Sequence, residues 1–173
     1  MVVSSQQGKN LSLVMAISPS AGVVTWKIFE GALDSDCFAE FFQDVQQGFA
    51  KNFSSTICIL DNCRVHKRDD LTKLLQPNHE IKFLPPYSPF FNPIENCFNV
   101  IKQKVRSSLV SEAIIHRSRQ ADTAPWGSKM EARRTILVDV LSQAISEINS
   151  ALVMSFKLET LQYIPKVLNK ETL

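Results

Sequence analysis

The sequence lacks any long apolar run. No stretch approaches the roughly 20 apolar residues that a membrane-spanning helix needs. The segment from Met1 to Asn10 is polar and carries no signal-peptide pattern. Internal repeats and low-complexity tracts are absent as well. These absences predict an intracellular protein without a membrane partner, nuclear in a eukaryote or cytoplasmic in a bacterium.

Paired cysteines and a dominant charge are also lacking. The four cysteines form no C-x-x-C pair, and the three histidines give no zinc signature, so we predict free thiols. A formal net charge of +2 neither demands nor excludes nucleic acid. With 173 residues, 45% of them hydrophobic, the chain is long enough to bury a sizeable core as one domain.

Apolar periodicity predicts alternating strands and helices, and therefore an α/β fold with a mixed sheet flanked by helices. The first two strands form an antiparallel hairpin. The phenylalanines of the first helix, at helical spacing, are predicted to pack in the core. The predicted strands cover 10–18, 23–29, 57–60 and 81–84, the predicted helices cover 34–49, 68–75, 93–109 and 131–153, and 118–128 is predicted to be an exposed loop.

Two carboxylates lie at the ends of predicted elements. The apolar run Ile57–Leu60 is typical of a buried strand at the centre of a sheet, so Asp61 follows its carboxyl end, where open sheets bind ligands. Asn92 is a good N-cap and Pro93 suits the first helical position, which places Glu95 at the start of a helix. Such a pair suits a hard cation such as Mg²⁺.

Three motifs carry a resemblance to a known family. They are DNCRVH at Asp61–His66, LPPYSP at Leu84–Pro89 and NPIEN at Asn92–Asn96. Together, in this order, and with residues 62–94 between the two carboxylates, they resemble the catalytic core of DDE-superfamily transposases, of the mariner-type and related insertion-sequence branch. The resemblance covers roughly Gly8 to Arg106, and the C-terminal third has no specific motif.

The resemblance implies a ribonuclease-H-like fold that begins at its second strand and lacks the first. It also implies cleavage and transfer of DNA strands by two-metal chemistry, with Mg²⁺ or Mn²⁺ as cofactor. The implied partners are transposon-end DNA and target DNA. The resemblance leaves open whether the protein forms a homodimer. We expect residues 1–110 to be a truncated catalytic core and 111–173 a helical extension, within the same domain or appended.

Asp61 matches the second acidic residue of the family's triad and Glu95 matches the third. The first is missing, because no acidic residue precedes Glu30, and Asp34 and Asp36 are better explained as helix-capping residues. We therefore expect this chain alone to be a poor nuclease. The alternatives are a non-catalytic remnant that binds DNA or protein, and an inert relic of a mobile element.

Each site residue also has a plainer interpretation. Asp61 before an asparagine is typical of a turn, and Glu95 three residues after Asn92 fits a capping box. We expect His66 to orient or pack against the site. We expect Asn62 to hydrogen-bond next to the metal ligands.

The loop and the helix after it offer further candidates. Tyr87 and Ser88 are predicted to face substrate from the proline-rich loop. Phe90 and Phe91 depart from the family pattern and predict an exposed apolar surface there. On the following helix, Lys102, Lys104 and Arg106 are candidate DNA-phosphate contacts, with a solvated helix face as the alternative.

Overall fold

The computed structural model describes residues 2–3, 10–52, 54–67, 71–75, 77–111, 114 and 129–169. Within them the strands are β1 (Val2–Val3), β2 (Leu11–Ser18), β3 (Gly22–Glu30), β4 (Thr56–Leu60) and β5 (His79–Phe83). The helices are α1 (Ser35–Asn52), α2 (Pro93–Leu109), α3 (Lys129–Ser146), α4 (Ser150–Leu161) and α5 (Tyr163–Leu168). The predicted helix over 68–75 is only a 3₁₀ turn at Leu71–Leu74, with 68–70 outside the described residues, as is the predicted loop 118–128.

Strand β2 is the centre of an antiparallel sheet with the order β1-β2-β3. The predicted hairpin is confirmed, with Leu11 opposite Glu30 and Ser18 opposite Gly22. Side chains alternate across a strand, so Leu13 and Met15 face one core cluster while Val14 faces the other. The short β1 pairs with β2 and was not predicted, since the first strand of the fold was expected to be lacking.

Helix α1 covers one face of this sheet. Its predicted apolar stripe is confirmed, because all five members are buried and pack with Val14, Cys58 and Leu71. The capping role of Asp34 is also confirmed, since its Oδ1 accepts a hydrogen bond from the Cys37 backbone N–H at 2.8 Å. The stripe consists of Phe38, Phe41, Phe42, Val45 and Phe49.

The prediction that β4 is buried at the centre of a sheet is wrong. Ile57 and Ile59 are each 59% exposed, and only Cys58 is buried against α1. Among the described residues β4 pairs only with β5, in parallel, in a sheet separate from the hairpin. The predicted strand over 81–84 corresponds to β5, which is also partly open, since Phe83 is exposed. One face of this small sheet is covered and the other is open.

The opposite face of the hairpin packs on α2, α3 and α4. The prediction of one helix over 131–153 is wrong, because the chain turns by 73° between Ser146 and Ser150. Asn149 caps the new helix, its side-chain oxygen accepting a hydrogen bond from the Leu152 N–H at 2.9 Å. Apolar spacing continues through this turn, so periodicity alone could not reveal it.

Gly22, at the hairpin turn, packs directly against that break. Its φ is +77°, and a Cβ there would lie 2.9 Å from the Ser150 nitrogen and 3.0 Å from the Ile148 oxygen. A left-handed φ favours glycine, and the close approach leaves no room for a side chain. The hairpin and the C-terminal helices are therefore held together by backbone contact as well as by the core.

All four cysteines are free, which confirms the prediction. Cys58 and Cys97 are buried, and burial raises the pKa of each thiol to about 11. Cys63 is exposed beside the strand end of β4.

Within the described residues, no single helix is both long and apolar enough to cross a bilayer. The pair Arg133–Ser146 and Ser150–Leu168, which is sharply bent, passes on length and composition alone.

Candidate active site

Asp61 directly follows β4, as predicted, and its carboxylate is about half exposed. Its Oδ1 accepts a hydrogen bond from the Cys63 backbone N–H at 3.0 Å. This is the turn that the plainer interpretation of Asp61 describes. The turn uses one oxygen only, and no described residue donates a hydrogen bond to Oδ2. Asp61 therefore shapes the turn and still presents an oxygen to the solvent.

The loop with the LPPYSP sequence starts beside the same strand end. The Leu84 N–H donates to the Leu60 carbonyl at 2.8 Å, which fixes the start of the loop next to Asp61. Tyr87 sits at the turn with a left-handed φ of +59° and a side chain that is 98% exposed. A bulky residue at positive φ is strained, and such strain is concentrated at functional sites. The Ser88 hydroxyl donates to the Pro86 carbonyl at 3.3 Å.

Phe90 and Phe91 do not form the exposed apolar surface that the sequence predicted. Both are partly buried in the 3₁₀ turn Pro89–Phe91, with ring centroids 4.6 Å apart. The Phe90 ring also lies 5.6 Å from the ring of Tyr163 at the start of α5. The correction has a simple cause, because the C-terminal helices cover a surface that the motif alone left open.

Glu95 lies in the first turn of α2, as predicted, behind Asn92 and Pro93. The Asn92 side chain accepts a hydrogen bond from the Ile94 N–H at 3.4 Å. The Asn92 backbone N–H donates instead to Pro89, at 2.9 Å, so it is not available to the Glu95 carboxylate. The capping-box alternative is therefore contradicted. No described residue forms a hydrogen bond or ion pair with the Glu95 side chain.

Asp61 and Glu95 line one cleft of about 470 Å³. The motif loops also line it, through Asn62 and through Tyr87 and Ser88. Lys67 also lines the cleft, and the sequence analysis missed it. The only signal for it was its place directly after the DNCRVH motif. The structure thus brings together five of the predicted site residues in this cleft, namely Asp61, Asn62, Tyr87, Ser88 and Glu95. His66 does not line it.

His66 contacts Asp61 from behind. Its Nδ1 lies 2.7 Å from Asp61 Oδ1, outside hydrogen-bond geometry, and the contact is an ion pair only when the imidazole is protonated. The His66 ring packs on Phe38 of α1, with ring centroids 4.2 Å apart. His66 therefore links the carboxylate to the buried face of α1, an arrangement that fits a positioning role.

The three basic candidates of α2 separate onto two sides of the helix. Lys102 and Arg106 follow Glu95 by nearly whole numbers of turns, at about 3.6 residues per turn, and so share its face. Lys104 lies on the other flank, where its Nζ pairs with Glu147 Oε2 at 2.6 Å. Leu109, the last residue of α2, is exposed. Only Lys102 and Arg106 continue from the cleft along the helix surface.

The donor set of the cleft fits a hard divalent cation. Two carboxylates each keep an oxygen without a partner among the described residues, and Mg²⁺ commonly takes one or two carboxylates and fills its shell with water. The described residues contain no cluster of three or more His, Cys, Asp or Glu side chains that could hold a metal. Asp61 and Glu95 are thus the two carboxylates that line this cleft.

Comparison with known proteins supports the superfamily that the motifs indicate. No curated protein matches the chain significantly. The family model described as DDE superfamily endonuclease matches residues 2–114, a range that includes β1, both sheets, the cleft and α2. The chain therefore belongs to the DDE superfamily of endonucleases.

Proposed function

We propose that the chain is the endonuclease domain of a mariner-type or related insertion-sequence transposase, with a ribonuclease-H-like arrangement of its sheets. Its substrate is the phosphodiester backbone of DNA at transposon ends and target. The observation that carries the proposal is the convergence of Asp61 and Glu95 on one cleft from separate elements. The family match supports DNA as the substrate class.

In this proposal Asp61 and Glu95 hold Mg²⁺ or Mn²⁺ through carboxylate oxygens. When bound, such ions activate the attacking oxygen and stabilise the leaving oxygen of a phosphodiester. His66 fixes the position of the Asp61 carboxylate through its contact with Oδ1. Asn62 orients groups at the edge of the cleft.

The walls and the adjoining helix face orient the DNA. Lys67 lines the cleft and supplies a positive charge for a phosphate near the carboxylates. Tyr87 presents an exposed ring, which suits contact with a base or sugar. Along α2, Lys102 and Arg106 lie about 10 and 16 Å from Glu95, at roughly 1.5 Å per residue, and extend the charged track.

A second candidate is supported by the composition of the cleft. Because the described residues bring two carboxylates rather than three, we expect polypeptide 1–173 by itself to cleave DNA weakly. A domain that binds DNA without cutting it would use the same basic residues. The two candidates differ in whether bound DNA is nicked when a divalent metal is supplied.

The test is incubation of purified 1–173 protein with supercoiled plasmid in Mg²⁺ or Mn²⁺, alongside Asp61→Asn and Glu95→Gln. Glu80→Gln is the control, since Glu80 lies on β5 and pairs with Lys82. Slow metal-dependent nicking that both cleft variants lose supports the endonuclease. DNA binding without nicking supports the second candidate. Rapid cleavage that requires both carboxylates would contradict the expected impairment, and absence of both binding and nicking would overturn both candidates.

A further inference from the structure

The C-terminal helices contact the chain on both sides of Glu95. Before it, the Phe90 ring lies 5.6 Å from the ring of Tyr163, at the start of α5. After it, the Asn96 side-chain amide donates a hydrogen bond to Glu159 Oε2 of α4 at 3.2 Å. Two separate contacts from α4 and α5 therefore flank the segment that carries this candidate metal ligand.

The first turn of α2 has little support of its own. The N–H groups at the start of a helix have no partner inside it, and here the Asn92 side chain accepts from the Ile94 N–H at 3.4 Å, close to the limit for such a bond. The Glu95 N–H donates to the Asn92 carbonyl at 3.1 Å, which closes only a single turn. The preceding loop is exposed over 85–87. Because helix ends open more readily than helix centres, the position of Glu95 depends on contacts from outside this turn.

The helices that supply those contacts are anchored in the core. Val153 and Phe156 of α4 pack in the core cluster that contains the buried face of α2. Gln162 links α4 to α5 with helical dihedral angles, φ −65° and ψ −21°. Glu159 and Tyr163 are four residues apart across this link, so they are neighbours on one helical surface. Helices α4 and α5 thus present both side chains to α2 from a well-packed base.

Glu95 depends on its backbone for its position, unlike Asp61. The Asp61 carboxylate is held by the Cys63 N–H and by its contact with His66. No described residue forms a hydrogen bond or ion pair with the Glu95 side chain, so its position follows that of the first turn of α2. Mg²⁺ demands near-ideal octahedral geometry and therefore tolerates little displacement of its ligands. Movement of this turn would separate the two carboxylates.

We propose that Glu159 and Tyr163 are positioning residues, which hold the first turn of α2 and keep Glu95 in the cleft with Asp61. The inference rests on the proposed role of Glu95 as a metal ligand. It gives a function to helices α4 and α5, which lie beyond residues 2–114, the range that the family model matches. These helices then belong to the working site.

Amide hydrogen exchange of the 1–173 protein, followed by mass spectrometry of peptides that cover residues 90–96, tests the positioning without any metal. Tyr163→Ala and Glu159→Ala should each speed exchange there about fivefold, which corresponds to the loss of one aromatic pair or one hydrogen bond. Tyr163→Phe keeps the ring and should exchange as the wild type does. Ile164→Ala is the matched control and should also do so, because Ile164 is the next residue of α5 and is 42% exposed.

The second measurement is the Mn²⁺ affinity of the double variant Glu159→Ala with Tyr163→Ala, by electron paramagnetic resonance of the free ion. Affinity falls in proportion to the fraction of molecules that hold the site together, so it should weaken at least about threefold. Glu159→Gln with Tyr163→Phe is the control, because it removes the same charge but keeps an oxygen for Asn96 and a ring for Phe90. It should bind as the wild type does. A loss of global stability alone would leave the affinity of the folded protein unchanged.

Wild-type exchange over residues 90–96 in both alanine variants would overturn the inference. Faster exchange with unchanged Mn²⁺ affinity in the double variant would overturn it too, since the contacts would then stabilise the helix without positioning the ligand. Glu159 is exposed, so Glu159→Ala keeps the exchange test valid if loss of the Tyr163 ring prevents folding. A wild type that binds no Mn²⁺ would contradict the proposed metal site alone, because the exchange rates decide independently whether the two contacts hold Glu95 in place.

Discussion

The imidazole of His66 lies between two parts of the molecule, with Nδ1 2.7 Å from Asp61 Oδ1 and the ring 4.2 Å from that of Phe38. A core helix and a candidate metal ligand are thus connected through one side chain. Contacts behind a metal ligand typically change metal affinity by about 10- to 100-fold when they are removed.

His66→Phe should therefore weaken Mn²⁺ binding by about tenfold or more while the fold persists, because the new ring still packs on Phe38. Isothermal titration would measure the affinity and thermal unfolding the stability. His79→Phe is the matched control, since the His79 ring also packs on a core phenylalanine, 5.7 Å from Phe49, but on β5. Equal Mn²⁺ affinity in both variants would argue against a positioning role for His66.

The two sides of α2 should respond differently in DNA binding. Each phosphate contact adds roughly 0.9 to the steepness with which log affinity falls against log salt concentration. A double variant, Lys102→Gln with Arg106→Gln, should therefore reduce that steepness by about 2. Lys104→Gln should leave it unchanged, since Lys104 already pairs with Glu147. That surface pair contributes less than about 1 kcal/mol to stability, so all these variants should fold. If only Lys104→Gln reduced the salt dependence, Lys104 rather than Lys102 and Arg106 would be the residue that contacts DNA phosphates.

The contact between Gly22 and the α3–α4 break predicts a large effect of a single methyl group. Gly22→Ala should lower the free energy of unfolding by about 3 kcal/mol, from strain at positive φ and from the clash with Ser150. Gly31→Ala separates the two causes, because its φ is also positive, at +90°, but nothing lies within 4 Å of the added methyl group. It should cost about 1 kcal/mol. Equal losses in denaturant unfolding would show that the close approach is unimportant.

Stability should fall at alkaline pH through the buried thiols. Burial holds the pKa of Cys58 and of Cys97 at about 11, above the ordinary value of 9.0. As the pH rises, the thiols therefore ionise in the unfolded chain at a lower pH than in the folded protein. The free energy of unfolding is unaffected by them below pH 9 and declines as the pH rises towards 11. Urea unfolding between pH 8 and 10.5 would measure the slope.

Replacing both thiols by alanine should flatten this pH dependence, although the variant is less stable at every pH because of the lost packing. Cys63→Ala should leave the slope as it is, because Cys63 is exposed. If the double variant keeps the wild-type slope, other groups cause the alkaline loss.

Local signals in the sequence were sufficient for some elements and not for others. The start of helix α2 could be predicted, because it depends on Asn92 and Pro93. The burial of α2 follows its own apolar spacing, except at its last residue, Leu109, which is exposed. The exposure of Ile57 and Ile59 could not be predicted, because it depends on which elements cover β4. The turn at Asn149 was hidden for a related reason, since apolar residues continue on both sides of it.

The candidate site divides in the same way. Motif spacing was enough to select Asp61 and Glu95, and the structure brings both to one cleft. The partner of Lys104 could not be predicted, because Glu147 is distant in sequence and reaches it only through helix packing. Lys67 was missed, since it belongs to no motif and its place in the cleft depends on the position of whole elements.

Mn²⁺ binding to the 1–173 protein, followed by electron paramagnetic resonance of the free ion, tests the central claim most directly. Wild-type protein should remove Mn²⁺ from solution, and Mg²⁺ should compete for the same site. Asp61→Asn and Glu95→Gln should each weaken binding at least about tenfold, because each removes one of two charged ligands. The Glu80→Gln control should bind as the wild type does. Binding that survives in both cleft variants would contradict the assignment of Asp61 and Glu95 as the metal ligands.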